Sequence, residues 1–395
     1  MVRKNESNQQ NTGLKATTMF ESNGHLYVHI PFCDGKCGYC AFYSVPYAED
    51  KGAGFLQYLE KELESSPRSG ITNLSTVYLG GGTPSVMSAE QLKQLMALIK
   101  RKCSFKEDLE WTVEGSPNTL TKDKVSLLLD SGVNRVSVGI QTFDDAVLSR
   151  ISRRHSEREA RSIIEHLAGI NNLDAGCDLI AGLPGHTRAS WRSDLKTICD
   201  SGLTHASVYA LSLEEGTPFL RKHKEGKLDL PDEDEVADRL AECGEVFSRR
   251  GLLRYEVSNY SVIGKECRHN LGYWRGDDYV GIGPGASSRL GLVRYTNRPD
   301  IRAYLQSADV ARDEEILSGD EDVQERLMYF FRLREGVDLD AYCAEHNVDD
   351  ELRSDWKQRL KYLCEEGIVA QKGSFYAPTA GGLDFADAIC EVFLS

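Results

Sequence analysis

The sequence predicts an α/β protein built on a parallel sheet. Six short apolar runs alternate with amphipathic helical segments, and parallel neighbours in a sheet need crossover connections of this kind. The apolar runs are 26–30, 76–79, 110–114, 135–140, 177–181 and 206–211. The helical segments between them are 55–64, 89–100, 123–130, 157–168 and 189–200. Because six units are fewer than the eight of a closed barrel, either an incomplete barrel or an open doubly wound sheet is expected.

Changes in composition divide the chain into four predicted parts. Residues 1–24 are polar and form a flexible N-terminal extension, and residues 25–230 carry the strand-helix units. Residues 231–320 are rich in glycine and strand-forming residues, which indicates an extension of the barrel or a connecting region. Residues 321–395 contain three helical segments and a hairpin, "GIVAQKGSFYA", which predict a smaller C-terminal α-rich, winged-helix-like domain.

Charge and cysteine content limit the class of partners. The chain of 395 residues has 47 basic and 61 acidic residues, and its net charge of −14 opposes nonspecific attraction to nucleic acid or anionic lipid. It has no apolar run of about 18 residues, so we expect no membrane anchor. Eleven cysteines, an odd number without an export signal, favour reduced thiols in the cytoplasm. DNA binding by the winged-helix-like part is a weaker alternative.

The stretch "CDGKCGYCAF" places three cysteines directly after the first strand. Cys33, Cys37 and Cys40 follow the pattern C-x3-C-x2-C. Structural zinc normally takes four protein ligands, and the nearest fourth candidate is His29 on the strand. An iron–sulfur cluster is the other interpretation, because cysteine thiolate is its usual protein ligand. Three thiolates on a four-iron cluster leave one iron open to a small molecule, and Phe42 does not close that position.

The longer stretch "YVHIPFCDGKCGYCAFYS" resembles the signature of radical S-adenosylmethionine (AdoMet) proteins. Its surroundings are similar to the oxygen-independent coproporphyrinogen III oxidase branch, from Tyr27 to beyond Ala286 and more weakly in the C-terminal part. The resemblance implies an incomplete (β/α)6 barrel and a [4Fe-4S] cluster on Cys33, Cys37 and Cys40. It also implies AdoMet on the open iron, its cleavage to a 5'-deoxyadenosyl radical, and an electron donor such as a flavodoxin or ferredoxin.

Two strand-end motifs suit AdoMet by their chemistry. "GGGTPS" includes Gly81, Gly82 and Thr83, whose exposed amides and carbonyls fit the methionine end of the ligand. Alone, this motif is equally typical of a glycine-rich turn. Glu114 follows the third apolar run and can bind an ammonium or a ribose hydroxyl, although a single strand-end carboxylate is more often a solvated turn residue.

Further candidates follow the next strands. Gln141 in "GIQTF" and Asp178 in "CDLIAG" offer an amide and a carboxylate for ribose hydroxyls. Arg154 in "ISRRH" has a guanidinium that matches the AdoMet carboxylate. Their occurrence at successive strand ends favours one shared site over separate structural roles.

The resemblance adds three further contacts. It implies that Tyr27 and Tyr39 are aromatic neighbours of AdoMet and that Ala210 gives it a backbone contact. Relatives commonly carry Asn where this chain has Ser116. Ser116 therefore departs from the family pattern, and the resemblance does not specify the contacts around the neighbouring Glu114.

Two positions separate the kinds of protein within this branch. The oxidases carry an additional cysteine where this chain has Phe42, whereas the haem chaperones of the branch carry phenylalanine there. The haem chaperones also carry H-N-x-x-Y-W, and "HNLGYW" stands at 269–274. His269 can ligate haem iron, and Tyr273 and Trp274 can pack on a porphyrin. The alternative is a polar turn followed by two core aromatics.

The leading hypothesis is therefore a haem chaperone that binds haem and transfers it to apo-haemoproteins, as a monomer or weak homodimer. The alternative is an oxygen-independent coproporphyrinogen III oxidase, which decarboxylates its substrate to protoporphyrinogen IX. A structural zinc protein is the third interpretation. The sequence leaves open whether the chain is an enzyme.

Overall fold

The computed structural model describes residues 24–65, 72–307 and 311–394. The predicted N-terminal extension lies outside the described residues except for Gly24, which begins the first strand. All eleven cysteines lie within the described residues and are free thiols.

A single twelve-stranded sheet forms the main body. Its strands are β1 (Gly24–Ile30), β2 (Leu74–Gly81), β3 (Phe105–Gly115), β4 (Arg135–Gln141), β5 (Asp174–Ala181), β6 (His205–Ala210), β7 (Leu253–Arg254), β8 (Asn259–Ser261), β9 (Tyr279–Ile282), β10 (Ser287–Leu290), β11 (Val293–Asn297) and β12 (Arg312–Ile316). The spatial order is β12-β11-β10-β9-β1-β2-β3-β4-β5-β6-β8-β7. The six predicted strands are β1 to β6, and each pairs in parallel with its neighbour. The predicted incomplete α/β barrel is confirmed.

The fourteen helices of the described residues are α1 (Glu49–Ser65), α2 (Ala89–Lys102), α3 (Lys122–Asp130), α4 (Asp145–Arg150), α5 (Glu157–Ala168), α6 (Arg188–Ser201), α7 (Pro218–Lys224), α8 (Glu233–Ser248), α9 (Arg268–Trp274), α10 (Ile301–Tyr304), α11 (Gly319–Phe330), α12 (Leu339–Glu345), α13 (Asp350–Glu365) and α14 (Ala386–Glu391). The five predicted helices all form. Several begin at residues that cap free amides: Ser156, for example, starts α5 in a capping box with Glu159.

The strands are buried on both faces, as parallel strands covered by helices are. In β1, Leu26, Val28 and Ile30 have no exposed surface. The same apolar core includes Phe55 of α1 and Leu95 of α2. This packing fixes the carboxyl ends of β1 to β6 along one edge.

The sheet continues on the far side of β1. Strand β9 pairs in parallel with β1, and β10, β11 and β12 follow as antiparallel neighbours. Short strands β7 and β8 extend the opposite end next to β6.

The C-terminal residues form a second core. Helices α11, α12 and α13 surround Leu327, Phe331 and Trp356. A small antiparallel sheet completes this part, with strands β13 (Val337–Asp338), β14 (Val369–Lys372) and β15 (Phe375–Pro378) in the order β13-β15-β14. Helix α11 lies against α9, where the rings of Tyr329 and Trp274 are 6.1 Å apart.

Within the described residues, no helix combines the length and apolar character needed to cross a membrane.

Candidate functional site

The predicted site residues lie at the carboxyl ends of successive parallel strands, where ligands of α/β sheets collect. Cys33 follows β1, and the others are Gly81 on β2, Glu114 on β3, Gln141 on β4, Asp178 on β5 and Ala210 on β6.

The loop after β1 presents three half-buried thiols, Cys33, Cys37 and Cys40. The two-residue strands Phe32–Cys33 and Val45–Pro46 pair in parallel and close the base of this loop. Burial raises the pKa of the Cys33 and Cys40 thiols, and the charge of Cys37 adds to both shifts. The three thiols are therefore close enough to interact, as the ligands of one cluster must be.

The three thiols do not form a site for a single metal ion. In residues 24–65, 72–307 and 311–394, no three His, Cys, Asp or Glu side chains are arranged to hold one metal ion. The ligands of a four-iron cluster bind different irons and stand farther apart than the ligands of one ion.

Arg153 is a site residue that the sequence interpretation missed. Its Nη1 lies 3.8 Å from Cys37 Sγ, and its Nη2 donates to Ser116 Oγ at 3.1 Å and to the Gly139 carbonyl. Arg154, the predicted residue, is exposed and lies against Gly35, where an added Cβ would be 2.7 Å from the Arg154 Nε. The "RR" pair was the only signal, and it does not show which arginine faces inward.

Ser116, the departure from the family pattern, joins strand β3 to the cysteine loop. Its hydroxyl accepts from Arg153 and donates to Asn118 Oδ1 at 2.9 Å. Asn118 Nδ2 in turn donates to Asp34 Oδ2 at 2.6 Å. A polar network therefore links the loop to the ends of β3 and β4.

The glycines after β2 allow the close approach of that strand end to the cysteine loop. Gly81 has φ +99°, and a Cβ there would lie 2.4 Å from the imidazole of His29. A Cβ on Gly82 would lie 2.5 Å from the Phe32 carbonyl oxygen. The amide of Thr83 donates to the same carbonyl at 2.7 Å. Packing within the protein therefore accounts for these glycines, and their contact with AdoMet stays a prediction.

Two half-buried carboxyl groups, those of Glu114 and Asp178, line the same small cavity. Glu114 accepts from the Tyr78 hydroxyl at 2.7 Å and from the Gly81 amide at 3.3 Å. Burial raises its pKa to about 7, and the nearby Asp178 contributes. Burial also raises the pKa of Asp178, which accepts from Ser137 Oγ at 3.0 Å. Both line a cavity of about 50 Å³, so they can hold ammonium or hydroxyl groups there.

Gln141 ends β4 in a left-handed conformation with φ +73°. The register between β4 and β5 shifts between Gly139 and Gln141. A non-glycine residue in this conformation costs about 1–3 kcal/mol, and such strain clusters at ligand sites.

The three residues implied by resemblance occupy different surroundings. Tyr27 pairs its hydroxyl with His29 Nδ1 at 3.1 Å. The Tyr39 ring packs edge-on against Phe219, and burial raises the pKa of Tyr39. Ala210 is exposed at the end of β6.

His269 of the "HNLGYW" stretch is 1% exposed and has partners on both ring nitrogens. Nδ1 lies 2.6 Å from Thr76 Oγ1, and Nε2 lies 2.9 Å from the Tyr273 hydroxyl. Burial lowers its pKa well below the usual range, so the imidazole is neutral. Any iron bound at Nε2 has to replace the hydrogen bond to Tyr273.

A large cavity lies beside the cysteine loop, with a volume of about 900 Å³. We call it the aromatic cavity, because its lining includes Tyr27, Phe42, Tyr43, Tyr273, Trp274, Tyr279, Tyr295 and Tyr329. Phe42 is 69% exposed and reaches it from the cysteine loop, whereas Trp274 reaches it from α9. The two sequence features that separate the proteins of this branch therefore meet at one cavity.

Comparisons with known proteins define the class. Residues 27–198 match the Radical SAM superfamily. The fold is similar to that of coproporphyrinogen III oxidase (HemN) from Escherichia coli, with a TM-score of 0.82 and 23% identity over 94% of this chain and 90% of that chain.

Curated relatives define the family. Heme chaperone HemW of Lactococcus lactis is 33% identical over 380 residues, which cover 95% of this chain and 98% of the relative. HemW of Bacillus subtilis is 31% identical, with 93% and 98% covered. HemW of Escherichia coli is 28% identical, with 94% and 98% covered. The chain belongs to the radical SAM superfamily and, within it, to the HemW family.

Membership of this family confirms the predicted resemblance and implies a [4Fe-4S] cluster and AdoMet. Cys33, Cys37 and Cys40 are the residues of this chain that would hold the cluster. When bound, the cluster supplies the electron that cleaves AdoMet.

Proposed function

We propose that this protein binds haem in the aromatic cavity and transfers it to apo-haemoproteins, while Cys33, Cys37 and Cys40 hold a cluster that coordinates AdoMet. The observation that carries the proposal is the meeting of Phe42, Tyr273 and Trp274 at one cavity. The relatives named heme chaperone match nearly the whole chain.

The size and lining of the cavity support a planar macrocycle. Its volume of about 900 Å³ lies within the range of roughly 300–1,000 Å³ typical of small-molecule sites. Tyrosine and tryptophan rings offer apolar faces with polar tips, which suit a porphyrin that has an apolar ring and carboxylate substituents.

His269 stands one hydrogen bond behind this cavity. When His25 carries its ring proton on Nε2, it donates to Asp277 at 3.1 Å, and the Thr76 hydroxyl donates to His25 Nδ1 at 2.8 Å. Thr76 then accepts from His269 Nδ1, which leaves His269 Nε2 as the acceptor of the Tyr273 hydroxyl. Fixing one ring nitrogen as the donor prepares the other to bind a metal. In our proposal the haem iron replaces Tyr273 at Nε2.

For AdoMet we propose the set predicted from the sequence, most of which lies at or near strand ends. It comprises Tyr27, Tyr39, Gly81, Gly82, Thr83, Glu114, Gln141, Arg154, Asp178 and Ala210. Arg153 joins this set as a positioning residue, because its contacts tie Cys37 to the end of β4.

The second candidate function is an oxygen-independent coproporphyrinogen III oxidase. The observation that favours it is the gathering of the AdoMet candidates on one edge of the sheet, since a chaperone does not need AdoMet cleavage to hold haem. Phe42 opposes it, because it stands where the oxidases carry a further cysteine.

We also propose a cytoplasmic monomer or weak homodimer that takes electrons from a flavodoxin or ferredoxin and binds neither nucleic acid nor membrane through an anchor. Eleven free thiols fit a reducing compartment. The net charge of −14 opposes nonspecific binding to polyanions.

Haem transfer tests the proposed function. Wild-type protein loaded with one haem is mixed with an apo-haemoprotein under anaerobic conditions, and the visible spectrum of the acceptor is followed. We expect transfer faster than from free haem at equal concentration. Failure to bind haem, or to release it to the acceptor, would contradict the proposal.

A further inference from the structure

Two arginines supply positive charge to the aromatic cavity. Among the described residues that line it, Arg289 and Arg294 are the only arginines, and no lysine accompanies them. They are directly opposed on the antiparallel strands β10 and β11. Residues opposed in this way project from the same face of the sheet, and two like charges so placed repel each other unless a carboxylate lies between them.

Glu325 of α11 supplies that carboxylate. Its Oε2 lies 2.8 Å from Arg294 Nη1, and its Oε1 lies 3.6 Å from Arg289 Nη1. The contact to Arg289 is longer than an ideal ion pair, and the Glu325 carboxylate also accepts from the Tyr329 hydroxyl. The two guanidinium groups therefore already hold one carboxylate group, which enters the cavity wall from a different helix.

The acidic partners of the two arginines do not occupy every guanidinium N–H group. Arg289 is buried, pairs with Asp322 at 2.5 Å, and keeps a buried Nε without a hydrogen-bond partner among the described residues. Arg294 pairs with Glu315 through Nε at 2.8 Å, and its side chain is 40% exposed. The partly exposed Arg294 guanidinium can therefore meet a second carboxylate, and an arginine fork binds carboxylates through two parallel hydrogen bonds.

We propose that Arg289 and Arg294 form the carboxylate anchor of the aromatic cavity and that a propionate of the bound porphyrin competes with Glu325 for them. This inference rests on the proposed function, since it assigns the polar end of the same ligand. It orients the porphyrin with its propionate edge toward β10 and β11 and leaves the ring among the aromatic side chains.

The test compares haem with haem dimethyl ester, whose propionates carry no charge. Arg294→Gln removes the more exposed guanidinium and is expected to raise the Kd for haem about fivefold, the scale of a partly exposed ion pair. The Kd for the dimethyl ester stays unchanged. Glu325→Gln removes the competing carboxylate and is expected to lower the Kd for haem by a similar factor.

Arg275→Gln serves as the matched control, because Arg275 is a half-exposed arginine in an ion pair with Glu335 outside the cavity lining. Kd values come from visible absorption titrations, and circular dichroism checks the fold of each variant. If Arg294→Gln and Glu325→Gln both bind haem as the wild type does, the carboxylate anchor is wrong and haem binding stands. If the wild type binds no haem, the proposed function fails together with this inference.

Discussion

The edge of the sheet where β1 to β6 end and the aromatic cavity differ in how they are assembled. Along the edge, the site residues follow successive strands in chain order, and the half-buried carboxyl groups of Glu114 and Asp178 accept hydrogen bonds from their neighbours. The aromatic cavity draws Phe42 from the cysteine loop, Trp274 from α9, the strand pair Arg289 and Arg294, and Tyr329 from α11.

The difference in assembly separates the proposed cluster and AdoMet site from the proposed haem site. In our proposal the edge holds the groups that bind the cluster and AdoMet. We propose that the cavity holds the features that distinguish a carrier from an oxidase, and its lining includes Trp274 of α9 and Tyr329 of α11, whose rings lie edge to face. Apart from Tyr27, which belongs to both regions, substitutions in one region are expected to leave the other intact.

The largest expected effect lies on the edge. Cys37→Ala removes one of three proposed cluster ligands, so iron and sulfide content after anaerobic reconstitution should fall to background while haem still binds. Cys199→Ala is the control, because Cys199 is a half-buried free thiol on α6. A fully loaded Cys37→Ala protein would show that the thiol is not a ligand.

The buried carboxyl of Glu114 predicts a pH effect on stability. Its pKa is raised from the ordinary 4.5 to about 7 by burial, so the folded state holds a proton that the unfolded chain releases. The resulting stabilisation is complete below pH 4.5 and is lost as pH rises to about 7, by about 3 kcal/mol. The free energy of unfolding, measured with urea at several pH values, should therefore fall more steeply with rising pH for the wild type than for Glu114→Gln across this window. If the free energies of unfolding of the two proteins change equally with pH, the raised pKa of Glu114 is contradicted.

The adjacent arginines separate a structural role from a ligand-binding role. Arg153→Gln breaks part-buried hydrogen bonds to Ser116 and the Gly139 carbonyl, and should lower the free energy of unfolding by about 2 kcal/mol. Arg154→Gln, at an exposed side chain, should change it by less than about 0.5 kcal/mol but weaken AdoMet binding in equilibrium dialysis. If Arg154→Gln lowers the free energy of unfolding more than Arg153→Gln does, the structural role assigned to Arg153 is wrong.

The smallest effect is expected at His269, which stands behind the cavity-lining Tyr273. His269→Ala should weaken haem binding about tenfold, or about 1.4 kcal/mol, and alter the visible spectrum of bound haem, without loss of iron from the cluster. His223→Ala on α7 is the control, since His223 is exposed. Identical spectra and affinities for His269→Ala and wild type would remove His269 from the haem site.

Much of the fold was predictable because it is local. The six parallel strands and their five helices follow from periodicity within short segments. Strand β9 was not recognised as a parallel neighbour of β1, because that pairing joins residues such as Leu26 and Val280 across most of the chain. Periodicity along a strand does not specify a partner so far away.

In the candidate site, too, contacts between residues far apart in the sequence could not be predicted. The residues after each strand were predictable, because parallel strands end at one edge. The contact of Arg153 with Cys37 was not, since it depends on which of two adjacent side chains turns toward the cysteine loop. The pairing of His269 with Thr76 and Tyr273, and of Glu325 with both cavity arginines, depends on contacts between distant elements.

The role proposed for this protein is to carry haem and not to make porphyrin. It is tested most directly with anaerobically reconstituted protein, reductant and AdoMet, with haem in one sample and coproporphyrinogen III in another. We predict stable haem association in the first sample and no decarboxylated porphyrin in the second. Catalytic formation of protoporphyrinogen IX would contradict the claim and identify an oxidase that works with Phe42 in place of a further cysteine.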